Sequence, residues 1–191
     1  MITTDVTRLP DGAVEEISGM VGASVRGDRD GRGLRVGLAC AEFNGGVTVR
    51  LLTGALQGLA DCRVDPRDVT VAWAPGAFEL PLVARAFAAA GSVDAVVCLG
   101  AVIRGDTGHY DFVAGQCAAG IQRVQLDTGV PVVFGVLTTD TVPQALERSE
   151  PDETNKGREA AATAVEMARL LRGAALGGSV AGPGRPPSAR V

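Results

Sequence analysis

The sequence predicts an α/β fold: a flavodoxin-like three-layer sandwich with a four-stranded parallel sheet as its middle layer. Two observations carry that prediction. Between residues 34 and 172, short β-rich apolar runs alternate with longer, alanine-rich stretches of helical spacing. The apolar runs are nearly continuous, as in strands covered on both faces, and right-handed crossovers put helices on those faces.

The first strand is read at LRVGLACA (34–41), and the helix after it at VTVRLLTGALQGLA (47–60). VTVAWA (69–74) is the second strand, followed by LPLVARAFAAAG (80–91) as a helix. AVVCLGAVI (95–103) leads into FVAGQCAAGIQRVQLD (112–127) in the same way. The fourth strand, PVVFGVLTT (131–139), precedes two helices, VPQALERS (142–149) and GREAAATAVEMARLLR (157–172). Residues 1–33 read as an N-terminal extension, partly mobile, in which GMVGASV (19–25) could add a strand to a sheet edge of a neighbouring subunit. Residues 173–191, GAALGGSVAGPGRPPSARV, hold too little apolar bulk to offset the entropy of ordering them and are expected to form a mobile tail.

Composition narrows the partners. A chain of 191 residues, 46% hydrophobic, can bury one good core. Lys and Arg total 18 against 22 Asp and Glu, and no basic block stands out, which argues against nucleic acid. Cys40, Cys62, Cys98 and Cys117 show no CxxC pair or metal-ligand spacing, so they read as small hydrophobes in a reducing compartment. The start, MITTDVTRLPDGAVEE, lacks the texture of a signal peptide, and no run approaches the ~20 apolar residues of a membrane span. A cytoplasmic protein with small-molecule partners, or copies of itself, is expected.

In an open parallel sheet, ligands bind beyond the carboxyl ends of the strands. AEFNGG there carries Phe43, PGAFE carries Phe78 and Glu79, RGDTGH carries His109, and VVFGV carries Phe134. Glycines and a threonine ahead of a helix starting near Phe112 make an anion site from unpaired N–H groups and the helix dipole, with Arg104 and Arg148 as supplementary cations. Neither GxxxxGK[ST] nor GxGxxG occurs in these loops, which favours a small phosphate ester over a nucleotide. His109 is the only histidine, and histidine is the side chain that ordinarily exchanges protons near neutrality. Without a second histidine, a metal site is disfavoured. Plain core packing explains Phe134 at least as well as ligand contact does. It explains Phe43 less well, because Glu42, Asn44 and two glycines flank that ring in a turn. Glu79 reads equally as a helix-entry charge.

AEFN, PGAFELP, GAVIRGDTGHYDFV, VVFGVLTTDT and NKGREAA, in this order, closely resemble the lumazine synthase family over residues 34–172. The resemblance implies condensation of 5-amino-6-(D-ribitylamino)uracil with 3,4-dihydroxy-2-butanone 4-phosphate to 6,7-dimethyl-8-ribityllumazine in riboflavin biosynthesis, without metal or organic cofactor. It implies that Phe43 stacks on the pyrimidine while Ala101, Val102 and Ile103 line it, and that Ala77, Phe78 and Glu79 hold the ribityl chain. Asp106 and Thr107, joined by Arg148, would bind the phosphate, and His109 matches the family's proton donor. Phe134 and Lys156 would come from a neighbouring subunit of a homopentamer. Some family members close twelve pentamers into an icosahedral shell, often with a glycine-rich linker between the last two helices. Here that linker reads SEPDETNKG, which points to a free pentamer or a pair of pentamers. Two rivals stay open on sequence alone: a flavin- or lumazine-binding carrier and an assembly scaffold.

Overall fold

In the computed structural model, which describes residues 9–10 and 12–175, β1 (Val36–Ala41) and β3 (Ala95–Ile103) form the centre of a four-stranded parallel sheet. The edges are β2 (Val69–Ala74) and β4 (Val132–Thr139), in the order β2-β1-β3-β4. The helices are α1 (Ala13–Ser18), α2 (Gly45–Asp61), α3 (Leu80–Ala89), α4 (His109–Thr128), α5 (Val142–Glu147) and α6 (Lys156–Ala175). This is the flavodoxin-like arrangement expected, with helices on both faces of the sheet.

The continuous apolar strands have the burial that this arrangement demands. All of β1 is buried, as is β3 up to Val102. Side chains alternate across a strand. Val36, Leu38 and Cys40 accordingly pack on Leu51, Ala55 and Leu59 of α2 and Ala161 and Val165 of α6, while Ala39 and Ala41 join Leu80, Ala84, Cys117 and Ile121 beneath α3 and α4. At the β2 edge the cover is thinner, and Trp73 keeps 47% of its surface. α2 and α6 approach closely because of glycine: a Cβ at Gly54 would collide with the Asn155 side chain, and one at Gly157 with the Leu51 backbone.

Register places Cys40 between Trp73 and Leu99, and Leu99 beside Gly135, so the strands end on one rim. At the opposite end, Asp94 ties three segments together. Its carboxylate accepts from the Arg35 amide at 2.7 Å and meets the Arg172 guanidinium at 2.7 Å. Partial burial pushes this carboxyl up, but the Arg35 amide and the guanidinium groups of Arg172 and Arg35 outweigh it and hold it below the usual carboxylate range.

The flanks differ from the sequence reading in part. α1 is a short helix with no buried residue, too brief and too glycine-flanked to announce itself by periodicity. GMVGASV (19–25) forms no strand within this chain. The Gly31 amide donates to the Cys62 carbonyl at 2.6 Å, and Arg169 of α6 donates to the carbonyls of Asp30 and Arg32, so the end of the extension is strapped across the domain. α6 continues through residues 173–175, which the sequence assigned to the tail; residues 176–191 lie outside the described residues. The four cysteines are free and buried, and burial pushes the Cys40 and Cys117 thiols up to about 12.

Candidate active site

Three loops meet at the carboxyl ends of β1, β2 and β3. After β1, the Glu42 amide donates to the Ala74 carbonyl and the Phe43 amide to that of Pro75, so pairing with the β2 side continues past the strand ends. Asn44 then adopts a left-handed conformation, φ 59°, and caps the start of α2; its side-chain Nδ2 donates to the Ala101 carbonyl at 2.9 Å. A short polar side chain tolerates that conformation better than most. The chain is pinned on both sides of Phe43, and the phenyl ring is left 72% exposed.

Beneath that ring lies a cavity of about 650 Å³. Phe43, Ala77, Phe78, Glu79, Ala101, Val102, Ile103, Thr107 and His109 all line it, so most of the residues singled out from sequence are brought together. Ala77–Glu79 form a single 3₁₀ turn before α3, with Ala77 buried and Phe78 55% exposed. Asp106 is exposed in the third loop but is not part of the cavity wall. Asn44, Tyr110 and Phe112 also line the cavity, and the sequence reading did not single them out.

His109 is not in a loop, as expected from sequence, but is the first residue of α4, three positions ahead of the expected helix start. The signal was available: Tyr110, Val113, Cys117, Ile121 and Val124 already follow the helical repeat and pack on the sheet. Gly108 occupies the cap position without a side-chain cap, and the His109 amide donates to the Thr107 hydroxyl at 3.4 Å. The helix dipole gives this end partial positive charge.

Arg104 is not a spare cation for that end. Its amide donates to the Thr139 carbonyl, its guanidinium bonds Asp140 at 2.9 Å and Asp111 at 3.2 Å, and it lies 4.0 Å from the centroid of the Tyr110 ring. The Asp111 and Asp140 carboxylates raise its pKa further. It braces the third loop against β4 and α4.

Phe134, Arg148 and Lys156 stand elsewhere. They line a second cavity of about 360 Å³ along β4, together with Glu159 and Thr163 of α6. Arg148, exposed at the end of α5, donates to the Gln144 carbonyl at 3.0 Å and pairs with Glu147, while Lys156 pairs with Glu159. Phe134 is 39% exposed on the edge strand, not packed in the core.

The family model for 6,7-dimethyl-8-ribityllumazine synthase matches residues 33–172. The chain belongs to this family. The matched span starts just before β1, ends within α6, and contains every residue lining the two cavities. Family membership assigns a transferase of riboflavin biosynthesis acting on small molecules. Among the described residues, no helix is long and apolar enough to cross a membrane.

Proposed function

We propose that this chain condenses 5-amino-6-(D-ribitylamino)uracil with 3,4-dihydroxy-2-butanone 4-phosphate to 6,7-dimethyl-8-ribityllumazine, at sites shared between neighbouring copies of a homopentamer. One observation carries the sharing: the wall of the aromatic cavity contains no lysine or arginine, whereas the second cavity offers Arg148 and Lys156. A phosphate ester in the first cavity alone would meet a helix end but no cationic side chain. Bringing one protomer's Phe134, Arg148 and Lys156 over the next protomer's Phe43 and His109 completes the site. The 19–25 segment, unpaired in its own chain, is offered to the exposed β2 edge of a neighbour in the same assembly.

In this reading Phe43 stacks on the pyrimidine, and the backbone of Ala101, Val102 and Ile103 addresses its polar edge. Glu79 accepts hydrogen bonds from ribityl hydroxyls beside Ala77 and Phe78. Thr107 and the amides at the start of α4 hold the phosphate, with Asp106 contributing its backbone N–H from the same loop.

The chemistry follows from the substrates. An amine of the uracil adds to the ketone and loses water to give an imine, phosphate leaves by elimination, and the second amine closes the ring with loss of water. Each step moves a proton, and a positioned imidazole supplies about 10²–10⁴-fold in such transfers. His109 gives the proton to the departing hydroxyl. The charge that grows on the leaving phosphate is met by Arg148 and the α4 terminus. Holding both substrates in reacting geometry supplies much of the remainder.

The test is direct. The two substrates are mixed with the protein and lumazine fluorescence is followed, while light scattering gives the particle mass of the same sample. Product formation by a particle of five or ten copies is expected. A coloured protein that binds product but does not turn over, or an active monomer, would overturn this reading.

A further inference from the structure

Four polar residues are buried among the described residues, and two of them, Ser149 and Asn155, lie in the connection between α5 and α6. Asn155 is 1% exposed, and its carboxamide is fully engaged. Its N–H groups reach the carbonyls of Ser149 at 3.0 Å, Glu150 at 2.9 Å and Arg50 at 3.4 Å. Its oxygen accepts from the amides of Gly157 at 2.9 Å and Arg158 at 3.3 Å, which caps α6. If the contact between α2 and α6 needed only packing, an apolar side chain of the same volume would fill it without the desolvation that a buried amide carries. The room for this one is made by Gly54, whose missing Cβ would collide with it.

The placement of these bonds is informative. On one side the amide grips residues 149 and 150, immediately after Arg148; on the other it grips 157 and 158, immediately after Lys156. Between them the Lys156 amide donates to the Arg148 carbonyl at 3.0 Å. The two cations of the second cavity are thus the residues whose backbones this junction holds in register, while residues 150–154 between them are exposed. Their side chains do not tie them to each other: Arg148 bonds the Gln144 carbonyl and Glu147, and Lys156 bonds Glu159.

We propose that Asn155 is a positioning residue for the condensation, acting through Arg148 and Lys156 to hold the cationic half of the phosphate site. The inference rests on the function proposed above. Asn155→Asp keeps the volume and the accepting oxygen but replaces the donating NH₂ with an acceptor facing carbonyls. Asn155→Ser keeps only a short cap. Both are measured in the full chain, with circular dichroism and sedimentation to establish that they assemble as the parent does.

The KM for the phosphate-bearing ketone should rise about tenfold in both variants, less than the about hundredfold that a full ångström of misplacement costs, while the KM for the pyrimidine stays unchanged. In an Arg148→Ala background the Asn155 effect should shrink, because the residue it acts through is gone. Equal shifts in both KM values, no shift in either, or an undiminished effect in that background would overturn the proposal. Loss of assembly in both variants also counts against it, since a positioning role leaves an assembled enzyme. If Arg148→Ala alone leaves the ketone KM unchanged, the assignment of Arg148 fails first. If it raises that KM and the Asn155 variants do not, only the clamp is refuted.

Discussion

The two cavities are built from the same sheet on opposite terms. The first sits where three strand ends converge and is dominated by aromatic and aliphatic walls, with Glu79, His109 and Tyr110 as its titratable side chains. The second runs along an edge strand and presents Arg148, paired with Glu147, and Lys156, paired with Glu159. One can hold a flat ring and move a proton; the other can hold an anion. The difference teaches why, in the function proposed above, neither cavity alone serves a substrate pair in which one partner is a heterocycle and the other a phosphate ester.

Removing the imidazole tests the first cavity most severely. His109→Ala should lower kcat by about 10²–10⁴-fold while leaving measurable turnover, because geometry alone still accelerates the reaction. Single-turnover fluorescence reads this, and complete loss in a correctly assembled variant would contradict it. Arg148→Ala comes next, with kcat/KM for the ketone lowered by about 10²–10³-fold and pyrimidine binding retained. The two variants together give the sharpest form of the comparison. Unfolded and refolded as a mixture, they should regain about a quarter of the parental sites, since random neighbours restore one intact pairing in that proportion. No regain would mean that the halves do not meet across a subunit boundary.

Phe43→Ala probes the platform. Losing the aromatic stacking should weaken pyrimidine binding by roughly tenfold, read by titration with a substrate analogue, with the ketone KM little changed. At the far end of the sheet, Asp94→Asn serves as a contrast to both cavities. It should lower the unfolding free energy by about 1–3 kcal/mol without altering either KM. The sign of its pH dependence is fixed by the lowered pKa: the contribution is present above the ordinary value of 3.8 and is lost as the pH falls through the folded value. Urea melts of parent and variant should therefore differ at neutral pH and converge in acid.

The sheet was legible because strands buried on both faces must be apolar throughout, as β1 and β3 are, and because β2 and β3 end at turn residues. The aromatic cavity was legible for a related reason: Phe43 beside Asn44 and two glycines makes little sense as core. What escaped were features without periodic signature. α1 is one short helix with no buried face, and the α4 start was placed late because His109 and Asp111 disguised a repeat already running from Tyr110. Arg104 looked like a ligand cation because its partners, Asp111 and Asp140, are joined to it only by the fold. Asn155 stood in the NKGREAA motif, but its burial was not legible, since a buried carboxamide and an exposed one are the same letter until the helices around it are packed.

Trp73 is the sole tryptophan of the chain and sits half uncovered on the outermost strand. Its indole emission therefore reports on a single place. Whatever closes over that strand must strip water from the ring and move its spectrum to shorter wavelength, so association there can be followed by dilution, without a label and without substrate.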